Sequence, residues 1–201
     1  MKRAIDIFGA ISGLIFLSPL FLITALLVKN RLGTPVIFRQ ERAGKNGKPF
    51  VICKFRTMTE ERDKDGNLLP DKKRLTRFGA FLRSTSIDEL PELLNVLKGE
   101  MSLVGPRPLH VRYIGRYSPE QKRRLEIRPG MTGWAQVNGR NAISWEDRLK
   151  MDVWYVDNRN FFLDIRILFR TVCTVFRREG ISGDGHATMK EFGIMGETDD
   201  Q

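Results

Sequence analysis

The chain has 201 residues and a formal net charge of +10, with 34 Lys and Arg against 24 Asp and Glu. Its length suits one domain with a hydrophobic core. Its charge favours anionic partners, namely nucleic acid, anionic lipid or phosphorylated substrates. Cys53 and Cys173 are its two cysteines and lack metal-ligand spacing, which excludes a disulfide framework and favours a reducing, cytosol-facing location.

An uncharged, apolar segment covers residues 7–28 and has basic residues on both sides. A helix of this length can reach across the hydrocarbon core of a bilayer. Ser18 and Pro19 lie in its middle, where the proline removes an amide donor and crowds the carbonyl of Ile15, which predicts a bend. The Ser18 hydroxyl can donate to a carbonyl of the preceding turn and deepen this bend. The basic flanks favour the cytoplasm for both ends. A kinked span and a re-entrant hairpin broken at Ser18-Pro19 both stay open on this evidence.

The rest of the chain predicts a β-hairpin followed by helices. Residues 35–38 and 50–55 are β-prone and flank a polar turn that contains glycine. Ser86 and Ser118 have the spacing of capping boxes. Helices are predicted at 71–83, 86–98, 119–127, 144–157 and 161–178. The fold class is therefore α/β (α+β), a small mixed helical core with a short β-hairpin.

The last predicted helix is amphipathic. Its apolar residues follow helical spacing at Ile165, Leu168, Phe169, Val172, Val175 and Phe176. Such a helix can pack on a protein core or lie in a membrane interface, and the pattern leaves both open.

The polar stretch 60–73 contains Asp63-Lys64-Asp65-Gly66. A D-x-D sequence can bind a metal ion and a nucleotide diphosphate in glycosyltransferases. No strand is predicted beside it, so a solvated turn is the favoured interpretation. A calcium loop is excluded, because Arg74 occupies the position where such a loop needs a bidentate glutamate.

Two adjacent carboxylates, Asp88 and Glu89, begin an apolar helical segment. Acidic residues in a first helical turn commonly do no more than offset the exposed N–H groups and the helix dipole. The chemical alternative is a nucleophile, because an aspartate can attack phosphorus and hold a covalent phosphoryl intermediate. That reaction also needs cations around the phosphoryl oxygens and a hard ion such as Mg²⁺ on a diphosphate.

Basic and glycine-rich segments supply candidate phosphate ligands. The basic candidates are Lys54, Arg56, Arg83, Arg107 and Arg140. Arg107 lies in Gly105-Pro106-Arg107-Pro108, where two prolines stiffen the turn and leave its side chain little entropy to lose. The irregular stretch 129–141, which includes Gln136, could contact a base or a sugar, or serve only as a structural loop. The absence of a Walker A or G-x-G-x-x-G sequence disfavours P-loop and Rossmann sites.

Together these segments resemble the bacterial sugar transferase family, the monotopic polyprenyl-phosphate phosphoglycosyl transferases, in its small single-domain type. The resemblance covers nearly the whole chain. Its motifs are Ser18-Pro19, Val36-Ile37-Phe38-Arg39-Gln40, Lys54-Phe55-Arg56-Thr57-Met58, Arg83 through Gly99, Val104-Gly105-Pro106-Arg107-Pro108 and Arg128-Pro129-Gly130-Met131-Thr132-Gly133. So many motifs in one order distinguish the resemblance from a chance match.

The resemblance implies a catalytic core on the cytoplasmic face of the bacterial inner membrane, held by a monotopic anchor. It divides the chain into a re-entrant helix-break-helix at 1–30, a catalytic domain at 31–183 and a C-terminal tail at 184–201, with amphipathic helices at the interface. The implied reaction moves a sugar-1-phosphate from a UDP-sugar to undecaprenyl phosphate and releases UMP. This is the first membrane step of glycoconjugate synthesis.

The resemblance also implies roles for single residues. Asp88 matches the nucleophile, and Glu89 matches the second half of an Asp-Glu dyad. Mg²⁺ is the implied cofactor, with Asp88 as its protein ligand, and Lys54 and Arg107 match positions of the phosphate site. No nucleic-acid partner is implied. The further substrate-binding candidates are Arg56, Arg83, Gln136 and Arg140.

Alternatives remain at this level. Residues 136–145 resemble family members that use N-acetylated or diacetamido UDP-sugars, and a hexose-1-phosphate is also compatible. A membrane-bound glycosyltransferase using Asp63-Lys64-Asp65 would release UDP in place of UMP. A basic, membrane-anchored binding module would explain the charge, but it has no need of Asp88 and Glu89.

Overall fold

A computed structural model describes residues 1–139, 143–177 and 192, without the side chains of residues 175–177. The mixture of helices and short strands confirms the predicted α/β class. The helices are α1 (Lys2–Phe16), α2 (Ser18–Leu32), α3 (Asp71–Arg74), α4 (Arg77–Ser84), α5 (Glu92–Lys98), α6 (Pro119–Lys122), α7 (Trp134–Asn138), α8 (Trp145–Asn158) and α9 (Phe161–Arg177). The strands are β1 (Ile37–Ala43), β2 (Pro49–Phe55), β3 (Ser102–Val104) and β4 (Gly130–Thr132). Short 3₁₀ turns cover Lys45–Gly47, Ile87–Glu89, Val111–Arg116 and Arg123–Leu125.

The strands form two small sheets. β1 and β2 are the predicted antiparallel hairpin, and β1 runs further than predicted because the turn closes within residues 44–48. β3 and β4 pair in parallel, with Ser102 opposite Gly130 and Val104 opposite Thr132. Strands of three residues are too short to show a period in the sequence, so this pair was not predicted.

The side chain of Asn95, on α5, forms hydrogen bonds with the backbone of β2. Its amide oxygen accepts the N–H of Cys53 at 3.1 Å, and its amide nitrogen donates to the carbonyl of Val51 at 2.7 Å. Asn95 is fully buried, and these bonds replace a neighbouring strand for two backbone groups of β2. They fix β2 against α5, and both elements contribute to the cleft described below.

The two N-terminal helices meet at a bend of 64°. The non-helical residue is Leu17, and Ser18 and Pro19 are the first residues of α2, so the predicted break lies one residue too late. Proline is tolerated at a helix start, where its missing N–H has no partner to lose. The Ser18 hydroxyl donates to the carbonyl of Ile15 at 2.8 Å, as predicted. No single helix of the described segments has the length and apolarity to cross a membrane, whereas the bent pair together meets both criteria.

Both N-terminal helices pack on the rest of the protein along one side. Ala10 of α1 joins the core around α5, and Val28 of α2 packs with Phe55 and Leu82. The buried Asp6 carboxylate accepts the Ser102 hydroxyl at 2.8 Å, which ties α1 to β3. Large apolar side chains remain exposed on α1 and α2, among them Phe8, Ile15, Phe16, Leu22, Ile23 and Leu26.

The last helix, α9, also has an exposed apolar face. Ile165, Phe169 and Val172 of the predicted stripe are exposed, together with Phe161 and Phe162 at the start of the helix. Leu168 is partly buried in the core formed by α7, α8 and β3. The side chains at positions 175 and 176 lie outside the described residues.

Helix boundaries differ from the predictions at residues whose backbone is not helical. The 71–83 segment forms α3 and α4, because Thr76 is extended and caps α4 with its hydroxyl. The 86–98 segment forms a 3₁₀ turn and then α5, which begins directly after Pro91. The capping box predicted at Ser86 is wrong, since this residue has a left-handed backbone and makes no capping bond. The capping box at Ser118 is confirmed.

Candidate active site

An open cleft of 1080 Å³ is lined by the β1–β2 hairpin, the turn before α5 and the loops that follow β3 and β4. It brings together most of the residues that the sequence singled out. These are Lys54, Arg56, Arg83, Asp88, Glu89, Arg107 and Gln136. The predicted ligand Arg140 lies outside the described residues.

The turn that carries Asp88 and Glu89 is fixed from both sides. Ser86 lies between α4 and the 3₁₀ turn and has a left-handed backbone (φ 56°), and α5 begins directly after the buried Pro91. In the first turn of α4, a Cβ added to Gly79 would lie 1.8 Å from the carbonyl oxygen of Thr57. Only glycine allows α4 to lie this close to the segment that follows β2. The close approach holds the turn of Asp88 and Glu89 beside the end of the hairpin.

Glu89 is held by two cations. Its Oε1 accepts Lys54 Nζ at 2.6 Å and Arg107 Nη2 at 2.7 Å. Burial alone would raise the pKa of this carboxyl, but Arg107 and Lys54 outweigh burial and hold the pKa well below its usual range. Glu89 is therefore a permanent anion that organises the cations of the cleft, and it is poorly suited to carry protons.

Asp88 has a different electrostatic environment. It is 7% exposed, and burial together with the neighbouring charge of Glu89 raises its pKa to about 6, against the opposing effect of Lys54, Arg83 and Arg107. At neutral pH most of this carboxyl is ionised, yet it is less strongly neutralised by protein cations than Glu89. Two adjacent carboxyls whose pKa values are driven apart are suited to different roles.

A third carboxylate, Glu92, contacts Lys54 and was not predicted from the sequence. It is 2% exposed, and its Oε1 lies 3.1 Å from Lys54 Nζ. Burial raises its pKa to about 7, although Lys54 opposes the shift. No local pattern in the sequence distinguishes Glu92, because acidic residues are common in the first turn of a helix and its contact with Lys54 joins distant segments.

Arg107 is positioned through its backbone as well as its side chain. Its carbonyl accepts Arg124 Nη2 at 2.6 Å, and Arg124 in turn pairs with Asp152 of α8 at 2.8 Å. The charge of Glu89 raises the pKa of the Arg107 guanidinium above its usual value, so it stays a cation in the cleft. The tight backbone of the loop requires glycine, since a Cβ on Gly105 would lie 2.6 Å from the carbonyl oxygen of Arg128. The Arg124–Asp152 pair was also missed, because its members lie far apart in sequence.

The chain matches the family model described as bacterial sugar transferase over residues 1–178. It belongs to the bacterial sugar transferase family. It is 55% identical to a Bacillus subtilis protein named uncharacterized sugar transferase EpsL, over 96% of this chain and 95% of that protein. It is 41% identical to the UDP-galactose-lipid carrier transferase of Erwinia amylovora and 42% identical to the undecaprenyl-phosphate galactose phosphotransferase of Salmonella typhimurium, over 90% of this chain in each case. The chain spans 41% of the length of these two relatives. The resemblance deduced from the motifs is confirmed.

The remaining predicted ligands line this transferase's cleft but differ in the groups that they contact. Gln136 lies in α7, the helix that follows β4, and it donates to the carbonyl of Met131 at 2.9 Å. The pairing of β3 with β4 brings it to the same edge as Arg107. Arg83 donates to Thr57 Oγ1 at 3.0 Å, and burial lowers the pKa of its guanidinium. Arg56 also lines the cleft but pairs with Glu60 at 2.7 Å. We therefore place Arg56 as a support of the cleft wall.

The D-x-D sequence of this transferase forms a surface turn, as favoured from the sequence. Asp63 Oδ1 accepts the N–H groups of Asp65 and Asn67, each at 2.9 Å, and so stabilises the turn itself. Both aspartates are exposed, and neither lines the cleft. The described part of the chain holds no group of three or more His, Cys, Asp or Glu residues that could bind a metal ion.

Proposed function

We propose that this bacterial sugar transferase moves a sugar-1-phosphate from a UDP-sugar to undecaprenyl phosphate and releases UMP. The observation that carries the proposal is the Asp88-Glu89 turn, where one carboxylate is fixed by Lys54 and Arg107 and its neighbour lines the cleft. The names of the Erwinia and Salmonella relatives, which specify a UDP-sugar, a lipid carrier and undecaprenyl phosphate, support the same class of substrates. The product, a polyprenyl diphosphate sugar, is a starting lipid for glycoconjugate synthesis.

The reaction proceeds in two displacements at one phosphorus. An Asp88 carboxylate oxygen attacks the sugar-linked phosphorus, the bond to the bridging oxygen breaks, and UMP leaves with the electron pair. A phosphate oxygen of the acceptor then attacks the aspartyl phosphosugar and expels Asp88. Lys54, Arg83 and Arg107 stabilise the charge on the transferring group. One phosphoanhydride replaces another, so the overall reaction is close to balanced and reversible.

The residues present fit the Mg²⁺ that the family implies. Protein-bound Mg²⁺ commonly takes one or two carboxylates together with substrate phosphates and water, so it needs no cage of protein ligands. Asp88 is the carboxylate of the cleft that is suited to hold it, because Glu89 is already engaged by two cations. When bound, the ion would neutralise charge on the diphosphate and on the leaving UMP.

Two observations bear on the donor sugar. The stretch 136–145 predicts an N-acetylated or diacetamido UDP-sugar, and its residues 140–142 lie outside the described residues. The names of the Erwinia and Salmonella relatives specify galactose. Both kinds of sugar therefore belong in the first assay.

We further propose that residues 1–30 form a re-entrant anchor whose two ends face the cytoplasm, and that residues 31–183 form the catalytic domain. The bend of 64° between α1 and α2 and the exposed apolar faces of α1, α2 and α9 support this arrangement. The acceptor phosphate lies at head-group depth, so an anchor of this kind would keep the cleft at the bacterial inner membrane. The tail proposed at 184–201 lies outside the described residues, apart from residue 192.

Replacing Pro19 with Ala should convert the bent pair towards a spanning helix. Alanine restores an N–H that can donate to the carbonyl of Ile15, so the helix can continue through the break. Cysteines introduced directly after Met1 or at Lys29, in a background with Cys53 and Cys173 replaced, report the side of the membrane by labelling intact cells. One end should become reachable from outside in the variant, while Pro119→Ala serves as a control. Two cytoplasmic ends in Pro19→Ala would contradict the proposed role of this proline.

Identification of the released nucleotide tests the proposed function. Purified protein in nanodiscs is incubated with Mg²⁺, undecaprenyl phosphate and a panel of UDP-hexoses and UDP-N-acetyl sugars. Repeated turnover that releases UMP well beyond one equivalent per protein only when the acceptor is present would support the proposal and name the sugar. Release of UDP would identify an ordinary glycosyl transfer, and no nucleotide across the panel would favour a binding module.

A further inference from the structure

Glu92 is a buried carboxylate for which the two displacement steps provide no role. It lies in the first turn of α5, behind the cleft, since Lys54 lines the cleft and Glu92 does not. Burying a carboxylate costs several kcal/mol unless a cation or donors compensate. Among the described residues, Lys54 forms an ion pair with Glu92, with Nζ at 3.1 Å, and the charge of Arg107 acts on Glu92 from further away. Lys54 is therefore the cleft residue through which Glu92 acts by direct contact.

Lys54 is held at two points, by a carboxylate of the 3₁₀ turn and by a carboxylate of α5. Its ammonium lies 2.6 Å from Glu89 Oε1 and 3.1 Å from Glu92 Oε1. A lysine head group on a flexible four-carbon stem is poorly defined by a single ion pair. The second carboxylate fixes it, and the Asn95 amide bonds fix the strand from which it projects.

We propose that Glu92 is a positioning residue, which holds the Lys54 ammonium against Glu89 so that the cation is in place when a diphosphate enters the cleft. The inference rests on the proposed phosphosugar transfer. Without Glu92, the ammonium keeps one anchor in place of two and can leave Glu89 for other anions in the cleft. Preorganised cations contribute to catalysis because no reorganisation is needed at the moment of reaction.

Single replacements give the first test. Glu92→Leu removes the acceptor at similar volume, and a displaced cation should lower kcat/KM about 100-fold. Glu92→Gln keeps an oxygen that accepts from Lys54, and it should stay within about tenfold of wild type. Glu126→Leu, at an exposed position, is the matched control. Equal losses in the Leu and Gln variants would overturn the positioning role.

A double-mutant cycle with Lys54→Met separates positioning from general structural damage. If Glu92 acts through Lys54, Glu92→Leu should cost little more once Lys54 is replaced by Met, and the two losses should not add. Losses in kcat/KM that multiply in the double variant would show that Glu92 supports the fold by another route and would overturn the inference.

Chemical labelling of Lys54 gives a readout that does not depend on turnover. The side chain is 19% exposed, and acylation by a succinimidyl ester, followed by mass spectrometry, measures its reactivity. Labelling relative to the exposed Lys150 should rise in Glu92→Leu and stay near wild type in Glu92→Gln. Unchanged labelling in both would contradict the inference. Absence of UMP release by the wild-type protein would instead contradict the proposed function, so the two failures are distinguishable.

Discussion

Replacing Asp88 with Asn is expected to reduce phosphosugar transfer by at least about 10³-fold, because an amide cannot attack phosphorus or hold an acyl phosphate. The fold should survive the change. Asn is isosteric with Asp, and the replacement removes one of two adjacent buried carboxylates that repel each other. The cations Lys54 and Arg107 keep their contact with Glu89.

The mass of the intact protein tests this prediction directly. Wild-type protein incubated with the donor and Mg²⁺, without acceptor, should gain one sugar phosphate and release an equal amount of UMP. The Asp88→Asn variant should gain no mass, and chelation of Mg²⁺ should suppress the adduct in wild type. Asp65→Asn, in the exposed turn, is the control and should remain active. Transfer by Asp88→Asn above about a tenth of wild type would remove Asp88 from the nucleophile role.

Local sequence patterns predicted the parts of the site that depend on short-range geometry. The hairpin, the Ser18 back-bond and the Ser118 capping box are set by residues within a few positions of each other, and the structure confirms them. The Asp88-Glu89 turn, Lys54 and Arg107 all line the cleft. The family motifs had already assigned these residues to one site. Such motifs carry spatial information that periodicity alone does not.

Other parts of the site depend on contacts between distant segments, and local patterns could not supply them. The β3–β4 pair is too short to show periodicity, although it brings Arg107 and Gln136 to one edge. In the sequence, Glu92 does not differ from any other acidic residue in a first helical turn. Its contact with Lys54, which is visible only in the structure, distinguishes it. The left-handed Ser86 was mistaken for a helix cap, because capping spacing does not reveal backbone conformation.

Adjacent arginines, Arg124 and Arg123, form ion pairs with α8 that should differ sharply in their effect on stability. Arg124 pairs with Asp152, and their side chains are 1% and 3% exposed. Arg123 pairs with Asp157, and their side chains are 40% and 44% exposed. Asp152→Leu should lower the free energy of unfolding by about 3–5 kcal/mol, because it leaves the Arg124 charge buried without its partner. Asp157→Leu should cost less than about 1 kcal/mol, since water solvates the freed guanidinium.

Denaturant unfolding in detergent micelles measures the difference, and transfer assays extend it to the active site. Arg124 also donates to the carbonyl of Arg107 at 2.6 Å, so Asp152→Leu should reduce phosphosugar transfer even where the protein stays folded. The double variant Arg124→Met, Asp152→Leu removes both buried charges and should recover part of the stability. It should not recover the activity, because it removes the Arg124 guanidinium that donates to the Arg107 carbonyl. Equal effects of Asp152→Leu and Asp157→Leu on stability would show that burial of the Arg124–Asp152 pair does not determine its contribution.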